Sequence, residues 1–153
     1  MKHVVFYSSG LGSWATAKRV AQEHGTENLI LLFADTLIED DDNYRFLEES
    51  AKNVGGTLIK IADGRTPWQV FKDVRWLGNS RVANCSLELK QKVCKQWVKA
   101  NTEKCDRLYI GIDWSEIHRL KSIKKHWDQS KNIGSLTTYL PQCAMLLTSI
   151  KGR

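Results

Sequence analysis

Small hydroxylic residues and glycines crowd one short stretch, Ser8-Ser9-Gly10-Leu11-Gly12-Ser13, directly after the apolar run Val4-Val5-Phe6-Tyr7. At such a join, Gly10 and Gly12 let the backbone take positive φ angles and let a ligand come close. Serine hydroxyls and the free N–H groups of a following helix can then donate to anionic oxygens. That is the chemistry of a phosphate cradle. The stretch matches neither the P-loop pattern nor the Gly-x-Gly-x-x-Gly dinucleotide pattern, so taken alone it also fits a plain tight turn. Asp35 ends a second apolar run and could accept from a ribose hydroxyl or assist a metal, although Asp-Thr after a strand is also ordinary turn chemistry.

Further along, Asp113 and Glu116 have the spacing of a helix capping box, and a cap is the expected role of Asp113. Glu116 and Arg119 lie on one helix face, where they either pair with each other or face a substrate. Arg65, Arg75, Arg81 and Lys90 surround the middle loops, and a guanidinium fork suits phosphate or sulfate. Arg81 is the favoured anion ligand of the four, because Gly78-Asn79-Ser80-Arg81 reads as a loop with Cys85 and Ser86 close behind. Cys85 is the cysteine expected near a site, whereas Cys94 and Cys105 read as buried small hydrophobes. The 4 cysteines form no CxxC pair, and His118 and His126 lack the four-residue spacing that brings two imidazoles together, so no metal site is expected. Trp68, Trp76, Trp97 and Trp127 are read as core or cover residues. Lys121, Lys124, Lys125, His126 and Lys131 form a basic run that suits either a solvated helix face or a nucleic-acid backbone.

The elements that must position these residues alternate in period. Val4–Tyr7, Leu29–Ala34 and Thr57–Ile61 are short apolar, β-branched runs of the kind buried in parallel sheets. Between them, Ser13–His24 repeats apolar residues at helical spacing and stops at Gly25. A second helix begins at Asp40, Asp41 and Asp42, whose charge suits a helix N-terminus, presents Tyr44, Leu47, Ala51 and Val54, and stops at Gly55-Gly56. Trp68, Phe71, Val74 and Trp76 mark an aromatic helical or irregular stretch. Leu89, Val93 and Trp97 mark a helix, Arg107–Ile112 a fourth strand, and Ser115–Trp127 a last helix. This alternation predicts one α/β domain with a parallel sheet, helices on both faces, right-handed crossovers and strand order 3-2-1-4, with a fifth strand added at most beyond the fourth. Residues 1–130 form the expected domain, and 131–153 a C-terminal tail without clear periodicity.

With 153 residues, 42% of them hydrophobic, the chain suffices for one packed domain. Its 23 Lys and Arg against 17 Asp and Glu give a net charge of +6, a bias toward phosphate-bearing partners. No apolar run approaches the roughly 18 residues of a membrane span, and the first residues lack a signal peptide's apolar core. A soluble, cytoplasmic protein with no membrane partner is expected. Disulfide-scaffold, collagen, coiled-coil and low-complexity classes are excluded by composition.

Three segments in this order resemble the adenine nucleotide α-hydrolase superfamily, the PP-loop ATP pyrophosphatases, and within it the phosphoadenosine phosphosulfate (PAPS) reductase-like branch. They are Ser8–Ser13, where that family has Ser-Gly-Gly-x-Asp-Ser; Phe33-Ala34-Asp35-Thr36 with Glu39 and Asn43–Glu48; and Gly111–Arg119, similar to the family's late Gly-x-x-x-x-Glu-x-x-Arg. Together they span roughly residues 4–120, each at the carboxyl end of an expected strand. The resemblance implies a Rossmann-like, HUP-type three-layer sandwich that binds ATP, PAPS or a related adenine nucleotide, with Mg²⁺ as the accompanying cation. Ser8, Ser9, Gly10, Leu11, Gly12 and Ser13 would hold phosphates. Tyr7, Ala34, Asp35, Thr36 and Gly111 would contact adenine or ribose, and Arg81, Cys85, Asp113, Glu116 and Arg119 would face the substrate.

The chain departs from the family pattern at Ser9, where the family has its first loop glycine, and at Gly12, where the family has its acidic residue. Without that carboxylate, binding is favoured over α–β phosphate cleavage or adenylylation. Pro141-Gln142-Cys143-Ala144-Met145 does not match the reductases' Glu-Cys-Gly-x-His segment, which argues against sulfonucleotide reduction. The alternatives are a non-catalytic nucleotide-sequestering protein and a subunit of a tRNA or DNA modification system, with a compact bacteriophage or mobile-element protein as an analogy. A homo-oligomer is compatible with either.

Overall fold

A computed structural model describes residues 1–75, 84–128 and 135–139. The strands are β1 (His3–Phe6), β2 (Leu29–Asp35), β3 (Thr57–Ala62), β4 (Arg107–Gly111) and β5 (Ser135–Tyr139). All neighbouring pairs are parallel and the order is β3-β2-β1-β4-β5, which is the expected α/β architecture with a fifth strand placed beyond β4. That strand comes from the stretch whose periodicity is too weak to read.

Alternation along each strand sends odd and even side chains to opposite faces. Val5, Tyr7, Leu31, Phe33 and Tyr109 pack under α1 (Leu11–His24) and α2 (Asp41–Val54), against Ala17, Val20, Leu47, Ala51 and Val54. Val4, Leu32, Ala34 and Leu108 face the other way and meet Cys94 and Val98 of the helix Val93–Asn101, with Trp97 and Trp127 partly buried beside them. The result is helix, sheet, helix, each apolar face covered.

The helix signals act where the sequence places them. Asp40 caps α2 by accepting from the Asp42 N–H at 2.9 Å, and Gly55 ends it in a left-handed conformation, φ 90°. A short α3 (Pro67–Val74) starts in a capping box between Thr66 and Gln69. Next come a single turn, α4 (Asn84–Ser86), a π-helical stretch over Leu87–Lys92, and α5 (Val93–Asn101).

Here the structure corrects the expected register. A π-turn holds an extra residue, so the buried positions run Leu89, Cys94, Val98 instead of Leu89, Val93, Trp97. The expected last helix is also two pieces, a 3-10 helix over Trp114–Arg119 followed by α6 (Leu120–Asp128). No helix among the described residues is long and apolar enough to cross a membrane. Trp76, the Gly78-Asn79-Ser80-Arg81 loop, Lys131 and everything from residue 140 on, Cys143 included, lie outside the described residues.

Candidate functional site

From β1 the chain connects outward to β2 and β3 on one side, while β4 and β5 lie on the other. The carboxyl ends of β1 and β4 therefore flank the switch point of the sheet, where open parallel sheets carry ligands. A cavity of about 370 Å³ opens there, lined by Ser8, Gly10, Gly12 and Ser13 of the β1–α1 turn together with Ala34, Gly111 and Glu116.

The turn is tied from within. Ser13 Oγ donates to the Gly10 carbonyl at 2.8 Å and accepts from the Ser8 N–H at 3.2 Å. Gly10 is extended, φ −85° and ψ 158°, and the positive φ of the turn falls on Ser9, at 57°. The expectation that Gly10 and Gly12 supply the positive φ is thus corrected: Gly12 lies within α1, and the left-handed residue is the one standing where the resembled family has glycine. Ser9 is held there by its hydroxyl, which lies within hydrogen-bonding reach of Asn43 Oδ1 on α2 and of the Ser8 carbonyl.

The first intrahelical bond of α1 runs from the Trp14 N–H to the Gly10 carbonyl, 3.0 Å. No side chain caps this helix and no acidic residue occupies its first turn, and this N-terminal turn, at the positive end of the helix dipole, borders the cavity through Gly10, Gly12 and Ser13. Of the three serines, Ser9 and Ser13 are buried, and Ser8 is exposed. Gly111 is required for close approach. A Cβ there would lie 2.6 Å from Thr16 Oγ1 and 2.7 Å from the Gly12 carbonyl oxygen, so the end of β4 rests on the first turn of α1.

The other expected residues divide. Tyr7 borders the cavity, but its side chain is in the core, its hydroxyl donates to Ser50 Oγ at 2.6 Å, and burial pushes its phenol up; it does not point at a ligand. Asp35 Oδ1 accepts from the Leu37 N–H at 2.8 Å and from the Tyr44 hydroxyl at 2.7 Å. It therefore stabilises Leu37 at φ 63°. The bond to Asp35 pushes the Tyr44 phenol up to about 12. Thr36 is buried and donates to Glu39 Oε1 at 3.0 Å. Asp113 caps the 3-10 helix by accepting from the Ser115 N–H at 2.9 Å, while Glu116 pairs with Arg119 and does not complete the box. Leu11 is exposed at the start of α1. Cys85 is half-buried on α4 and does not line this cavity.

Two contributors were missed or underweighted in the sequence. Glu39 is a hub: besides Thr36 it accepts from Asn43 Nδ2 at 2.9 Å and from Lys90 Nζ at 3.3 Å. The network so formed joins Ser9, Asn43, Glu39 and Lys90, and couples the β1–α1 turn to the π-helical stretch. Cys94, and not Cys85, is the cysteine at the crevice. Burial holds its thiol up at about 11, so it serves as packing and not as a nucleophile at neutral pH. No group of three or more His, Cys, Asp or Glu side chains set to hold a metal ion occurs among the described residues. In comparisons with known proteins, no family model and no curated protein matches the chain.

Proposed function

We propose that the crevice binds an adenine nucleotide, with its phosphates on the turn Ser8–Ser13 and its nucleoside running between Ala34–Thr36 and Gly111. The observation that carries this is the uncapped N-terminus of α1 opening on a cavity that the turn itself lines. Supporting it are the position of that cavity at the switch point and the left-handed Ser9, where the PAPS reductase-like proteins that the chain resembles have glycine.

The chemistry of the site suits holding a nucleotide better than cleaving it. The carboxylates of the cavity and of the adjoining β2–α2 connection are engaged: Asp113 in the cap of the 3-10 helix, Glu116 with Arg119, Asp35 in the Leu37 turn, and Glu39 with Thr36, Asn43 and Lys90. Gly12 supplies no carboxylate at all. Mg²⁺ in this reading arrives on the phosphates, where it offsets their charge, and the protein contributes backbone N–H groups and the Ser8 hydroxyl. The proposed setting is cytoplasmic.

A second reading, a nucleic-acid modification subunit, is favoured by exposed Lys121 and Lys125 on α6 beside exposed Arg119. It predicts RNA or DNA binding that weakens steeply with salt. Calorimetric titration with ATP, PAPS and AMP, with and without Mg²⁺, followed by chromatography of the recovered nucleotide, tests the first reading. Saturable binding with intact nucleotide is expected. Release of pyrophosphate or AMP would make the protein an enzyme, and absence of binding to all three would refute the nucleotide site.

A further inference from the structure

Beside the cavity at the phosphate loop lies a larger one, about 540 Å³. The two share Phe6, Lys90, Cys94, Ile110, Gly111 and Glu116, so they are compartments of one crevice. The larger compartment has an apolar floor. The rings of Phe6 and Trp127 pack with centroids 4.9 Å apart, and Ile123 of α6 adds to that wall. Its charged lining is two cations, Lys90 and Arg119, against one carboxylate, Glu116. Arg119 is neutralised by its pairing with Glu116.

That leaves Lys90, whose carboxylate partner Glu39 stands outside the compartment at 3.3 Å. Glu39 retains Thr36 and Asn43 if Lys90 turns away. An incoming anion can therefore recruit Lys90 without leaving Glu39 unsatisfied.

We propose that this compartment is a second binding site, taking a small monoanion with a flat apolar body of the aromatic carboxylate class. The carboxylate meets Lys90 and the ring lies against Phe6, Ile123 and Trp127. The site stands on its own cavity and charge; its use for a co-substrate next to a nucleotide rests on the reading proposed above.

The test is calorimetric titration of the full chain, without nucleotide, by indole-3-acetate, indole and tryptamine, which share a ring system and differ in charge. Indole-3-acetate is expected to bind saturably and about tenfold or more tighter than indole, with tryptamine weakest. Lys90→Met is expected to bring indole-3-acetate down to the affinity of indole while leaving indole itself unchanged. Ile123→Trp, which fills the floor, is expected to weaken both, with thermal melts confirming that each variant is folded. Tryptamine binding as well as indole-3-acetate, no binding by any of the three, or a Lys90→Met variant with undiminished preference for the acid would each overturn the proposal. Because nucleotide is absent throughout, those failures are separate from a failure of ATP to bind at the loop.

Discussion

Ser9 carries the tightest local constraint at the site. A non-glycine residue at φ 57° is strained by about 1–2 kcal/mol, and the hydroxyl contact with Asn43 helps to offset it. Two substitutions separate these effects. Ser9→Ala keeps the strain and loses the contact, and is expected to lower the unfolding free energy by about 1 kcal/mol in urea titrations. Ser9→Gly loses the same contact but relieves the strain, and is expected to stay near wild type. At Gly111 the constraint is space: Gly111→Ala places a methyl against Thr16 and the Gly12 carbonyl, and is expected to lose about 1–3 kcal/mol. It should also weaken nucleotide binding, because relief requires the first turn of α1 to move. Neither constraint was visible in residue types alone. Sequence showed where small residues cluster, whereas which of them is left-handed depends on the hydrogen bonds that hold it.

At the scale of elements, the first three strands and the two helices between them were legible because their apolar periods are strong and both helices stop at glycine. The π-helical stretch was not. A single extra residue in one turn leaves composition unchanged and shifts the buried face, so Val93 and Trp97 looked as good as Cys94 and Val98. The difference is measurable. Val98 is fully buried and Val93 only partly, so Val98→Ala is expected to lower stability by about 2 kcal/mol and Val93→Ala by under about 1 kcal/mol. Equal losses would mean a regular α-helical register. The same turn presents Lys90 to both compartments of the crevice, a placement that residue type and spacing alone do not give. The 3-10 start after Asp113 was likewise hidden, since a cap marks where a helix begins and not how tightly its first turns wind.

Across the whole molecule the two ends of the sheet differ in purpose. The carboxyl end carries the crevice, and the amino end is tied by buried polar contacts. His3 Nδ1 meets the Tyr109 hydroxyl at 2.7 Å, its ring stacks on His24, and Asp106 accepts from the Lys2 N–H at 2.6 Å and the Glu103 N–H at 2.9 Å. Burial, followed by the nearby His24, lowers the His3 pKa from 6.5, so the folded state binds this proton more weakly than the unfolded state. Stability from this source is full above about pH 6.5 and declines as the pH falls below it. Burial acts to raise the Asp106 carboxyl, but the Glu103 and Lys2 N–H donors together with the charges of Lys2 and the N-terminus outweigh it and hold it below 3.8, so its contribution is present above that pH and is lost only as the pH falls below it. Urea titrations between pH 7.5 and 5 are expected to show falling stability in the wild type and a shallower fall in His3→Gln; equal slopes would remove His3 from the account. The sheet order was legible in full as far as the fourth strand, because parallel strands joined by helices leave few alternatives. The lining of the crevice was legible at Ser8, Gly10, Gly12 and Ser13 and also at Ala34, Gly111, Asp113, Glu116 and Arg119, whereas Phe6, Cys94 and Ile110 reach it through packing that residue type does not reveal.

The central claim is that the N-terminal turn of α1 receives phosphates. Amide ¹H–¹⁵N spectra recorded during titration with ATP and Mg²⁺ test it directly. The amides of Ser8–Ser13 and of Gly111 are expected to shift together and saturate at one nucleotide per chain, with AMP moving the loop amides less because it brings fewer phosphates. Shifts confined to Lys121–Lys125, or a loop that stays still while nucleotide binds elsewhere, would contradict it.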